Sequence, residues 1–140
     1  MNVNRRKISR EKMMKIIFQI EARNDFDGCD KEIYFEDDGK NLDKNYCEKL
    51  YNNFLNAHEK IDEYIKNYSK EWDIKRIVKI DLSILRLAIT EILFFDDIDV
   101  AVTINEAVNL AKIYGTDTSP AFINAVLGAI EKTIAKERME

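Results

Sequence analysis

Apolar positions along the chain recur at helical rather than strand spacing. The most regular stretch is Cys47, Tyr51, Phe54, His58, Ile61, Ile65 and Tyr68, whose steps alternate between four and three and predict one continuous helical face. A first helix is expected from about Asn4 to Arg23, with Met13, Met14, Ile17, Phe18 and Ile20 as its apolar stripe and Arg6 and Arg10 sharing another side. Between these two, KEIYFEDDG reads as a short helix lying between Gly28 and Gly39.

The run from Arg76 to Phe95 is apolar on nearly every side, as the central helix of a bundle would be. Asp81 reads as an internal N-cap there, splitting a short first turn from a buried helix over Leu82 to Phe95. Aspartates 96, 97 and 99 interrupt the pattern. Thr103 and Glu106 then form a capping-box pair opening a helix through Ile104, Ala107, Val108, Leu110 and Ala111, with Gly115 at its end. Ser119 followed by Pro120 reads as an N-cap and first-turn pair, starting a last helix with Phe122, Ile123, Val126, Leu127, Ile130 and Ile134 inward. The expectation is an all-α bundle of about seven helices, a single domain over residues 1–140.

Composition agrees with that class. Four glycines and one proline are too few to turn a many-stranded sandwich or barrel. No apolar run has the ~18 residues of a membrane span, and the basic start leads into an amphipathic stretch rather than a signal peptide. Cys29 and Cys47, with one histidine in the chain, make neither a zinc pattern nor a disulfide framework; a cytoplasmic protein with reduced thiols and no metal or cofactor is expected.

Net charge is −4, which as a total speaks against nucleic acid. Its distribution reverses that. The first 15 residues hold six basic side chains against Glu11, a net +5, so the remaining 125 carry −9. Seven arginines occur in all, and three fall at Arg5, Arg6 and Arg10, where a planar guanidinium suits phosphate better than an ammonium does. The bland alternative is a solubilising terminus. A second locus is YGTDTSPAF, Tyr114 to Phe122, where helix amides and the hydroxyls of Thr116, Thr118 and Ser119 suit phosphate or base edges, and Phe122 suits stacking. A cap at Ser119 and a core role for Phe122 explain the same residues without a ligand. Enzyme signatures are absent: there is no P-loop, GxGxxG, GxSxG or HExxH. Asp37/Asp38 and Asp96/Asp97 read as solvated turn acids, and His58 as a packed or rim residue.

Three blocks, RRKISREKMMKIIFQIE, KIDLSILRLAITEIL and TINEAVNLAKIYGTDTSPAFINAVLG, resemble the NusB family of bacterial transcription antitermination factors. Similarity weakens across residues 24 to 70. The resemblance implies two packed helical subdomains and no catalytic activity. It also implies binding of single-stranded boxA RNA from ribosomal RNA leaders together with ribosomal protein NusE, helping RNA polymerase pass terminators. On that basis Arg5, Arg6, Arg10, Lys112, Asp117, Thr118, Ser119 and Phe122 fall at RNA-contacting positions, and Phe18, Lys75, Arg76 and Asp81 where the family meets NusE. Ala125 stands where FINGVLG would have glycine, and Asp99 where DIP would have proline. Two other readings stay open: a stand-alone relative of the RNA-targeting modules of ribosomal RNA methyltransferases, and a structural helical homodimer.

Overall fold

The computed structural model describes residues 2–36, 41–69 and 73–139. Among them are six α-helices and one 3-10 turn, and no strand: α1 (Asn2–Arg23), α2 (Lys31–Tyr34), α3 (Lys44–Tyr68), the 3-10 turn Ile74–Arg76, α4 (Lys79–Phe94), α5 (Val100–Tyr114) and α6 (Ser119–Met139). The turn before α4 accounts for the seventh helix expected from sequence. Asp37 and Asp38 lie outside the described residues.

Helix α4 is the axis. From Asp81 to Ile92 every residue is buried, because α1, α3, α5 and α6 all pack around it. Its neighbours contribute Met13, Met14, Ile16, Ile17 and Ile20 from α1, Leu50, Phe54, Ile61 and Ile65 from α3, and Ile123, Leu127 and Ile130 from α6. At roughly 1.5–3 kcal/mol per fully buried large apolar side chain, this shared core dominates the stabilisation. His58 is half-buried against the Phe26 ring, centroids 4.6 Å apart, so it is a rim residue.

Three helix starts, those of α4, α5 and α6, differ from the sequence expectation. Helix α4 begins at Lys79 with Val78 at its N-cap, so Asp81 lies within the first turn and caps nothing. Helix α5 begins at Val100, capped by Asp99, whose carboxylate accepts from the Ala101 amide. Thr103 instead donates its hydroxyl to Glu91 at 2.8 Å. Ser119 is the first residue of α6, and its hydroxyl accepts from the Thr116 amide at 2.9 Å. Gly115 does end α5, but with φ −90° it is not a left-handed cap. It is needed for room, since a Cβ there would lie 2.5 Å from Ser119 Cβ. Ala125 is exposed, so the methyl it adds in place of the family's glycine points to solvent.

Candidate functional site

Two regions hold the candidate residues, one at each end of a seam between α1 and α5. Lys7 faces Glu106 at 3.7 Å, and Lys15 sits 5.4 Å above the Tyr114 ring. The two helices therefore run side by side in the same direction, and the start of α1 and the α5–α6 corner lie at opposite ends.

At the first end, Arg5 is exposed and Arg6 is partly covered. The Arg6 guanidinium lies 4.7 Å over the Tyr46 ring and donates to Asp43 through Nη2 at 3.1 Å. Arg10 is a correction to the expectation of a phosphate contact. It is only 6% exposed, because its fork closes on Glu91, with Nε to Oε2 at 2.6 Å and Nη2 to Oε1 at 3.1 Å. Glu91 also accepts from Tyr46 and Thr103, so one buried carboxylate ties together α1, α3, α4 and α5. Burial alone would push the Arg10 guanidinium down; the hydrogen bond and charge of Glu91 more than offset it and leave the pKa raised.

At the other end, a groove of about 420 Å³ is lined by Arg76, Ile77, Val78, Asp81, Thr116, Thr118 and Phe122. The turn before α4 contributes Arg76, α4 contributes Asp81, and the α5–α6 corner contributes Thr116, Thr118 and Phe122. Asp117 and Thr118 are exposed on that corner, and Lys112 is exposed on the last turn of α5. Ser119 is fully buried beneath it, so its part is to shape the corner through Thr116. Asp81 is 5% exposed, and its Oδ1 has no hydrogen-bond partner. Burial pushes its carboxyl up, with the Ser119 hydroxyl opposing. A buried acceptor with no internal donor beside an open groove is suited to an incoming N–H group. Phe18 is 36% exposed on α1 and Lys75 is exposed beside Arg76.

Residues assigned separately from sequence to RNA and to a protein partner thus meet in one groove: Arg76 and Asp81 of the partner set, Thr118 and Phe122 of the RNA set. Missed from sequence were Glu91, Tyr46, Asp43 and the buried Arg86, which donates to Asp62 twice at 2.9 Å and to Glu21 at 2.8 Å. The 76–95 run held the only signal for two of these, since Arg86 and Glu91 are ionisable residues in an otherwise apolar helix.

A nucleophile–base pair is not assembled in either region among the described residues. Asp25, Asp27 and Cys29 gather ligand atoms within 4.8 Å, but Asp25 is occupied in accepting from the Cys29 and Asp30 amides and the Tyr34 hydroxyl. No helix among the described residues is long and apolar enough to cross a membrane.

The NusB family model matches residues 7–132. The transcription antitermination protein NusB of Alkaliphilus oremlandii is 44% identical over 88% of this chain and 90% of its own length. That of Natranaerobius thermophilus is 42% identical over 95% and 99%. Among solved structures, NusB of T. maritima superposes with a TM-score of 0.81 at 35% identity, covering 91% of this chain and 90% of the other. A chain in the crystal structure of the antitermination factors NusB and NusE in complex with dsRNA has the same fold, with a TM-score of 0.79 at 24% identity over 91% and 96%.

Proposed function

The chain belongs to the NusB family of transcription antitermination proteins, and from that premise we propose that it binds boxA-type single-stranded RNA of ribosomal RNA leaders jointly with ribosomal protein NusE. It is an antitermination factor and not an enzyme. Acting in the cytoplasm, the assembled complex would help RNA polymerase read through terminators.

One observation carries this reading: cationic and base-reading chemistry sit at opposite ends of one seam, so a single strand can touch both. Arg5 and Arg6 offer guanidinium groups to phosphate, while Asp117, Thr118 and Phe122 offer an acceptor, a hydroxyl and a stacking face to unpaired bases. Few phosphates are neutralised, so the protein alone binds weakly, and a second protein surface raises affinity. The groove supports that division, because NusE docking at Arg76 and Asp81 would lie against the RNA-contacting corner. A chain of this fold crystallised with NusE and dsRNA is consistent with a protein partner and RNA being held together.

The test is a salt titration of boxA binding, with and without NusE. Changing Arg5 and Arg6 together to Ala should flatten the log–log slope by up to ~1.4, about 0.7 for each single-strand phosphate no longer neutralised. NusE should tighten RNA binding in the unmodified protein. An unchanged slope together with no NusE effect rejects the reading.

A further inference from the structure

Several carboxylates face the basic strip, and one of them, Asp43, is paired with Arg6. Asp43 is pinned on three sides: its backbone amide donates to Ser9 Oγ of α1 at 2.8 Å, its Oδ1 accepts from the Tyr46 amide at 3.1 Å, and its Oδ2 accepts from Arg6 at 3.1 Å. Arg6 is held from the other direction by the Tyr46 ring. Both ion-pair partners remain accessible, their side chains 27% and 25% exposed. The pair is therefore neither sealed in the core like Arg10 with Glu91 nor as exposed as Arg5, whose charge also reaches Asp43.

From this geometry we propose that Asp43 is the resident counter-ion of Arg6 and competes with RNA phosphate for it, setting how strongly the basic strip binds any strand. The inference rests on the RNA-binding reading above. An arriving phosphate meets a guanidinium whose Nε edge already faces a carboxylate, with Nε 3.4 Å from Oδ2. Two anions around one cation repel each other, and Asp43 cannot swing away easily, because releasing it uncaps α3. Arg6 therefore contributes less attraction for phosphate than an unpaired arginine would. The strip stays weak on its own, and stable binding requires contacts at the far corner or from a partner.

Substituting Asp43→Asn tests this, since asparagine caps a helix as well as aspartate does while removing the charge and the acceptor that faces Arg6. Binding would be measured for a uridine homopolymer and for a mixed-sequence single strand of equal length, over a series of salt concentrations. The variant is expected to bind both more tightly at low salt, by roughly three- to tenfold, with a slope steeper by up to ~0.7. In an Arg6→Ala background most of that gain should vanish.

Unchanged or weaker binding by an Asp43→Asn protein with wild-type circular dichroism overturns the proposal, as does a gain that persists in full without Arg6. Should Asp43→Asn fail to fold, Asp43→Ser carries the same test with another capping side chain. If Arg6→Ala weakens RNA binding while Asp43→Asn leaves it unchanged, only the counter-ion role falls. If Arg6→Ala has no effect, the Arg6 phosphate contact falls with it.

Discussion

Arg10 and Glu91, 81 residues apart in sequence, meet as a buried bidentate pair with Nε 2.6 Å from Oε2. Tyr46 and Thr103 donate to the same carboxylate, so every strong acceptor site of Glu91 is used. A charge pair this dry is tolerated because its hydrogen bonds replace lost hydration. Removing one side leaves the other uncompensated. Glu91→Ala should lower unfolding free energy by about 3–5 kcal/mol, measured by urea denaturation. A loss below about 1 kcal/mol would contradict a buried, fully engaged pair.

Asp81 behaves in the opposite sense. Its unpartnered buried Oδ1 and raised pKa mean that folding disfavours its ionised form. Asp81→Asn should therefore stabilise the protein at neutral pH by about 1 kcal/mol. The same change should weaken docking at the groove. A substitution that raises the thermal midpoint and reduces NusE affinity together is the expected signature.

Acid should act mainly through the paired carboxylates. Burial pushes Glu21 up, but the Arg86 hydrogen bond and charge prevail, so its pKa falls below the ordinary 4.5. Asp43 is likewise raised by burial and lowered further by the Tyr46 amide and Arg6, to below 3.8. Groups depressed in the folded state stabilise it fully above their unfolded values and lose that contribution as pH falls through the folded ones. Urea midpoints should therefore stay level from neutrality to about pH 5 and drop below the usual carboxylate range. Asp81 opposes this drop slightly, since it favours the folded state as it protonates. Arg86→Met, which removes the stronger of the two cationic partners of Glu21 and leaves Lys79, should shallow the acid loss.

Gly115→Ala should destabilise by about 1–3 kcal/mol, because the new methyl would overlap Ser119 Cβ and the Ala111 carbonyl oxygen, 2.5 and 2.8 Å away. Pairing it with Ser119→Gly should recover part of the loss in the thermal midpoint. No recovery would show that the backbone rather than the side chain sets the requirement.

Helix periodicity was legible because burial repeats every three to four residues, and the α3 face and the largely apolar α4 follow from it directly. Helix starts were less so. Thr103 and Glu106 have capping-box identities and spacing, yet Thr103 turns to Glu91, and Glu106 faces Lys7 and Arg10 at 3.7 and 3.9 Å. Local patterns do not register a partner brought in by tertiary packing. Arg10 is the same case at the site: its charge marks it as a phosphate ligand, and only the fold reveals that Glu91 holds it. The 115–122 corner was visible from its hydroxyls and turn residues. Its merger with Arg76 and Asp81 was not, because the two segments lie far apart along the chain.

The parallel course of α1 and α5 makes the seam a ruler. From Arg6 to the level of Lys15 and Tyr114 the chain rises nine residues, which at 1.5 Å each is about 14 Å. Because a helix backbone does not shorten, this distance sets the scale of reach for any strand touching both ends. Oligonucleotides too short to cover it would occupy one end alone, and their affinity would climb in a step, not smoothly, once length suffices for both.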